Sequence, residues 1–120
     1  MKKLAKRAVA CKHWRWMPGM LNGRDGSRHM GGLQWAWQDP YRHHALGIEI
    51  DDWPDLSDDG TLGCLRALVR EAWGKPVAVW WPKNTETCCV GVGRMPIASG
   101  RCWQRRTEAE ALLAALEAAP

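Results

Sequence analysis

The segment from Ser57 to Gly74, SDDGTLGCLRALVREAWG, constrains the fold of this chain more than any other segment. Its apolar residues recur at helical spacing and form one stripe: Leu62, Leu65, Leu68, Val69, Ala72 and Trp73. Asp58 is placed to accept from the free N–H groups of the first turn, and Gly74 with Pro76 ends the helix. The sequence therefore predicts an amphipathic helix over residues 58–73, which needs a partner layer to cover its stripe.

A second helix is predicted over residues 107–118. Thr107 and Glu110 form the capping box Thr-x-x-Glu in front of an alanine- and leucine-rich stripe. Between the two helices, residues 77–81 and 88–94 have strand patterns joined by a turn, and residues 101–104 form a short last strand. This half of the chain therefore has the order helix, hairpin, helix.

The first half of the chain is rich in tryptophan and alternates like strands. Residues 11–17 (CKHWRWM), about 33–38 and 45–50 are predicted as strands, and residues 18–27 as a loop or irregular hairpin. Residues 1–10 allow a short helical turn or a solvated basic tail, and the tail is favoured. The predicted fold is α+β: an antiparallel sheet of about five strands with two helices packed on it, in the order strands, helix, hairpin, helix.

The length of 120 residues predicts a single domain. Within it we distinguish a basic tail (1–10), a Trp-rich strand region (11–52) and a helix–hairpin–helix region (53–120). Residues 1–48 contain nine Lys/Arg against two Asp, whereas residues 49–120 contain eight Lys/Arg against eleven Asp/Glu. This basic first part favours an acidic or nucleic-acid partner.

The cysteine and histidine residues do not form a recognisable site. The five cysteines are an odd number and no secretion signal precedes them, so free thiols in a cytoplasmic protein are expected. The spacings Cys11-x-His13 and His43-His44 differ from the paired ligands of a structural zinc site. We expect no metal, no cofactor and no membrane span, since no stretch reaches about 20 apolar residues.

Aromatic and basic residues alternate in the first half of the chain, as in proteins that bind single-stranded nucleic acid. Aromatic rings stack on bases there while Arg neutralises phosphate. The candidate binding residues are His13, Trp14, Arg15, Trp16, Arg28, Trp35, Trp37 and Arg42. The alternative is that these tryptophans fill the core, because the chain has nine Trp and no Phe.

The second half of the chain resembles small bacteriophage and prophage proteins. The resemblance covers about residues 53–120: Pro54-Asp55-Leu56, then Thr61 to Leu65, Leu68 to Trp73, and the alanine-rich ending from Thr107. Such proteins are similar to phage domains in which a sheet lies between helices, and their resemblance implies no catalytic residue. It implies a bacterial host cytoplasm as the location.

These patterns favour a binding protein over an enzyme, because no nucleophile elbow or phosphate-binding glycine loop is present. The expected function is that of a phage or prophage accessory protein that binds a macromolecule. Two alternatives remain open: binding of single-stranded nucleic acid through the Trp/Arg surface, and inhibition of a host protein.

Overall fold

The computed structural model describes residues 2–30, 36–38, 45–47, 52–94 and 101–120. This part of the chain contains three helices: α1 (Lys2–Ala10), α2 (Asp59–Trp73) and α3 (Glu108–Glu117). It also contains six strands: β1 (Arg28–Met30), β2 (Ala36–Gln38), β3 (Ala45–Gly47), β4 (Val77–Trp80), β5 (Cys88–Val92) and β6 (Cys102–Arg105).

The chain divides into two compact units. Unit 1 comprises residues 1–10 and 14–64, and unit 2 comprises residues 11–13 and 65–120. Each unit has its own three-stranded antiparallel sheet, in the orders β1-β2-β3 and β4-β5-β6. The α+β class is confirmed. The prediction of one sheet of about five strands with two helices is not confirmed, because each set of three strands pairs with its neighbours along the chain and forms a sheet of its own. The single domain over 1–120 stays a prediction.

Unit 2 is built around β5, which pairs with β4 on one side and β6 on the other. All five residues of β5 are buried, and α3 packs on β5 and β6. The indole N–H of Trp73 donates to the Ala115 carbonyl at 2.8 Å, which ties the end of α2 to α3. Much of the two predicted apolar stripes is buried: Leu65, Leu68, Val69, Leu112, Leu113 and Leu116. Leu62, Ala72 and Trp73 of the first stripe are half-buried.

The ends of α2 and α3 have the predicted caps. The backbone N–H of Thr61 donates to Asp58 Oδ2 at 2.8 Å, and that of Glu110 donates to Thr107 Oγ1 at 3.1 Å. At the other end of α2, Gly74 has φ +63°, and the N–H groups of residues 74 and 75 bond back to the carbonyls of residues 71 and 70. This is a Schellman ending, which a residue without Cβ adopts without strain.

Residues 2–10 form a helix, α1, although the sequence favoured a solvated tail. Ala5 and Ala8 are fully buried, while the basic side chains on the other positions are exposed: Lys2, Lys3, Lys6 and Arg7. Two alanines three residues apart allow a helix to approach its neighbours closely. The segment is therefore a packed element with a basic outer surface.

The predicted strand at residues 11–17 is wrong. Residues 11–13 form a turn, and residues 14–17 have no regular structure. The rings of Trp14 and Trp16 contact each other edge to face, with their centroids 5.4 Å apart. The alternation of aromatic and basic residues here therefore accompanies a contact between two rings and not a β-strand. Strand β1 was not predicted, and residues 33–35 and 48–50 of two predicted strands lie outside the described residues.

Among the helices that the structure describes, none has the length and apolar character needed to cross a bilayer.

Candidate functional site

Six of the eight predicted binding residues lie in the described part of the chain, one of them in unit 2 and five in unit 1. His13 belongs to unit 2, where its Nε2 lies 3.2 Å from the carbonyl oxygen of Ala119. Trp35 and Arg42 lie outside the described residues, and Trp37 lies in β2, where it pairs with His29 of β1 and Leu46 of β3. The predicted surface therefore stays a prediction.

Trp14 and Trp16 are half-buried, so their exposure matches neither a fully buried core position nor an open stacking platform. The indole N–H of Trp14 is buried and has no hydrogen-bond acceptor among the described residues. A buried N–H without an acceptor reduces stability, whereas a stacking ring normally presents its face to solvent. Arg15, which lies between Trp14 and Trp16 in the sequence, is exposed.

Arg28 has a structural role in unit 1. Its guanidinium donates to both carboxylate oxygens of Asp58, at 3.0 and 3.1 Å, and to the carbonyl of Gly19 at 2.7 Å. The hydrogen bonds to Asp58 raise the pKa of Arg28, and the hydrogen bonds from Arg28 and from Thr61 lower the pKa of Asp58 to about 2. Arg28 thus holds the carboxylate that caps α2.

This pair predicts a specific acid sensitivity. The pKa of Asp58 is about 2 in the folded protein against an ordinary value of 3.8, so the unfolded chain takes up the proton first as the pH falls. The stabilisation is complete above about pH 4 and is lost between about pH 4 and 2. Asp58→Asn, which keeps a capping side chain but loses the charge, should melt at a lower temperature at pH 7 and lose less stability on acidification.

Circular dichroism melts at pH 7 and pH 3 measure this effect. Asp59→Asn is the matched control, because Asp59 is an exposed acid one position further on in α2. An equal response of the two variants to acid would show that the Arg28–Asp58 pair is not responsible.

The described residues of unit 1 form a cleft of about 370 Å³, which we name the α1 cleft. Its lining combines basic, aromatic and apolar side chains with one acid: Lys2, Lys6, Val9, Ala10, Arg24, Asp52 and Trp53. A cleft with a few polar groups on an apolar and aromatic wall is the usual form of a binding site.

Helix α1 supplies the basic side of the cleft. Lys2 and Lys6 are four residues apart and therefore lie on the same face of the helix. Ala5 and Ala8, on another face, are buried and fix the position of α1. The ammonium group of Lys2 lies 5.8 Å from the centroid of the Trp53 ring, within the range of a cation–π interaction.

Gly23 determines where the Trp53 ring lies. Its N–H donates to the Trp53 carbonyl at 2.7 Å, and a Cβ at position 23 would stand only 2.0 Å from Cζ3 of the indole. The ring therefore lies directly on the backbone of Gly23, and any side chain there would displace it. The indole is half-buried.

Arg24 is oriented by a buried carboxylate. The side chain of Asp52 has 0% exposure, and its Oδ1 accepts from Nε of Arg24 at 2.7 Å and from the amide of Asn22 at 2.8 Å. The Asn22 carbonyl oxygen in turn accepts from the backbone N–H of Arg24 at 2.9 Å. Nη2 of Arg24 also lies 3.6 Å from Oδ2 of Asp25, so the positive charge that the cleft offers to an anion comes mainly from Lys2 and Lys6.

The sequence analysis missed this site. Residues 1–10 were expected to form a solvated basic tail, and Trp53 was given no role in binding. The sequence feature that could have indicated this site is the pair of lysines four residues apart, Lys2 and Lys6, beside Ala5 and Ala8. This is the pattern of a helix with one packed face and one basic face.

Burial disfavours the thiolate form of three of the cysteines. All five cysteines are free, and burial raises the pKa of the Cys64, Cys88 and Cys89 thiols, which lowers their thiolate fraction at neutral pH. In the ranges that the structure describes, no three His, Cys, Asp or Glu residues lie together as a metal site would require.

Comparison with family models, with curated proteins and with solved structures found no match to this chain. The resemblance of residues 53–120 to phage proteins therefore stays a hypothesis.

Proposed function

We propose that this protein binds single-stranded nucleic acid in the α1 cleft and is not an enzyme. The observation that supports this proposal is that three cations, Lys2, Lys6 and Arg24, line the same cleft as Trp53, with Lys2 over the ring. Stacking of a base on an aromatic ring, with neighbouring cations on the phosphates, is how proteins bind single strands. The phage origin suggested by the resemblance does not enter this proposal.

An aromatic ring in the lining of a cleft favours a single strand over a duplex. In a duplex the bases are stacked on each other, so a ring that lines a cleft has no base to contact. A single strand can turn one base into the cleft and leave its phosphates beside α1. Duplex DNA should therefore bind only through non-specific attraction to the basic helix.

Fluorescence anisotropy with a short labelled oligonucleotide tests the proposal. Lys6→Glu should lower the affinity for the single strand about tenfold or more, because a charged hydrogen bond worth about 1.5–3 kcal/mol is lost. Lys3→Glu is the matched control: it makes the same charge change on the same exposed helix, but Lys3 does not line the cleft. Equal losses in the two variants would contradict binding in the cleft.

A second candidate function, binding of a host protein, is favoured by Trp81. Its side chain is 56% exposed at the end of β4 in unit 2, and exposed tryptophans often dominate protein interfaces. Salt separates the two functions, because phosphate binding weakens steeply as the salt concentration rises and a Trp-centred protein interface does not.

A further inference from the structure

Two cysteines of unit 2 lie diagonally across neighbouring strands. In the pairing of β5 with β6, Cys89 stands opposite Gln104, and Gly91 stands opposite Cys102. Residues two apart in a strand point to the same face of the sheet, and so do directly opposed residues. Cys89 and Cys102 therefore share one face, and Gly91 between them has no side chain to separate the two thiols.

The two thiols interact with each other. The pKa of Cys89 is raised by burial first, and also by the charge of Cys102 and a hydrogen bond with it. A hydrogen bond that raises the pKa of a thiol stabilises its protonated form, so the Cys89 S–H donates and the Cys102 sulfur accepts. The two sulfur atoms are therefore already neighbours before any bond forms between them.

A disulfide across this diagonal needs a small approach of the two strands. Diagonal neighbours in a sheet are about 7–8 Å apart, slightly beyond the usual Cα separation of a disulfide. Strand β6 lies at the end of the order β4-β5-β6, so its approach to β5 disturbs only one strand pairing of this sheet.

The two thiols differ in their access to solvent. Cys102 is exposed, whereas Cys89 is only 5% exposed. An oxidant from solvent therefore reaches Cys102 first, and Cys89 lies beside it as the second thiol. An accessible thiol next to a resolving one is the usual form of a reversibly oxidised site. Cys88 is also buried, but as the neighbour of Cys89 in β5 it points to the opposite face.

We infer that Cys89 and Cys102 form an oxidation site that hydrogen peroxide converts to an intramolecular disulfide. The Cys102 thiolate attacks a peroxide oxygen, the O–O bond breaks, and the hydroxide that leaves takes up the proton lost by Cys102. The Cys89 sulfur then attacks the sulfenic acid on Cys102: the S–S bond forms, the S–O bond breaks, and the leaving hydroxide takes the Cys89 proton. Two thiols are oxidised to one disulfide, and the peroxide is reduced to two waters.

A dithiol reductant reverses the reaction by thiol–disulfide exchange. The site belongs to unit 2 and does not depend on nucleic-acid binding in the α1 cleft, which belongs to unit 1.

Peptide mapping of the peroxide-treated protein tests this inference. After free thiols are alkylated and the protein is digested with trypsin without reductant, the peptide that contains Cys88 and Cys89 should be linked to the peptide that contains Cys102. The linked peptides should weigh two hydrogen atoms less than the two separate peptides, and dithiothreitol should release them.

Two variants of adjacent buried cysteines identify the sulfur that is joined to Cys102. Cys89→Ala should abolish the link and leave Cys102 as a sulfenic acid or its further oxidation products. Cys88→Ala is the matched control and should retain the link. Cys102→Ser changes an exposed residue, so it should fold even if Cys89→Ala does not, and it should also abolish the link.

Three results would overturn the inference: no link in the peroxide-treated wild type, a link that persists in Cys89→Ala or Cys102→Ser, or a link that is lost in folded Cys88→Ala. None of them bears on the proposed function.

Discussion

Replacing Leu65 with alanine is expected to lower the free energy of unfolding by about 2–5 kcal/mol. Leu65 has 0% exposure and lies in the middle of the apolar stripe of α2, next to the buried Leu68 and Val69. The substitution removes buried methyl groups and leaves a cavity that the surrounding side chains fill only partly. A loss of this size is a large fraction of the stability of a small protein.

Urea denaturation of the purified variant measures this loss. Gly63→Ala is a control of opposite sign on the same helix, because Gly63 is exposed and a Cβ there would meet nothing within 4 Å. Alanine is favoured over glycine within a helix, so Gly63→Ala should raise the free energy of unfolding by about 0.5–1 kcal/mol. An unchanged unfolding midpoint for Leu65→Ala would show that α2 is not a core element.

Trp53→Ala is expected to weaken binding of a single strand by about 5- to 150-fold. Loss of stacking on one base costs about 1–3 kcal/mol, and each 1.4 kcal/mol is a factor of ten in affinity. Lys2 also loses the ring over which its ammonium group lies at 5.8 Å. Anisotropy titration measures the affinity, and a melt of the same variant shows whether it is folded.

Two further variants make the result for Trp53 specific. Trp53→Phe keeps an aromatic face and should retain most of the affinity. Trp81→Ala removes an exposed tryptophan from unit 2 and should leave the affinity unchanged. A folded Trp53→Ala protein that binds as tightly as the wild type would exclude Trp53 as the stacking platform.

The second half of the chain was predictable because its signals are local. The caps at Asp58 and Thr107, the glycine at 74 and the apolar stripes each act within a few residues, and the structure has α2 and α3 where they indicate. The strand patterns likewise match β4, β5 and β6 to within one or two residues.

The first half was less predictable because its structure depends on non-local packing. Helix α1 buries only the small side chains of Ala5 and Ala8, which give a weak apolar signal beside four basic residues. Two tryptophans separated by one residue, as Trp14 and Trp16 are, occur both in a strand and in an irregular segment where their rings contact each other. Strand β1 has three residues, too few for a periodic pattern.

The α1 cleft was not predictable for a related reason. Its residues come from three separate segments, and the position of Trp53 depends on the close approach of Gly23, thirty residues earlier in the chain. Likewise, the sequence does not show that Asp52 is buried against Arg24 and Asn22. Only the basic character of the first half, which favours a nucleic-acid partner, was visible beforehand.

The most direct test of nucleic-acid binding in the cleft is the salt dependence of the affinity for a short single strand. The logarithm of the binding constant should fall linearly with the logarithm of the salt concentration, with a slope of about −0.7 for each phosphate that is neutralised. Because Arg24 is already paired with Asp52, neutralisation of phosphates by Lys2 and Lys6 should give a slope of about −1.4, and Lys2→Gln with Lys6→Gln should remove most of it. An affinity that does not change with salt, or equal slopes for the wild type and this double variant, would contradict nucleic-acid binding in the cleft.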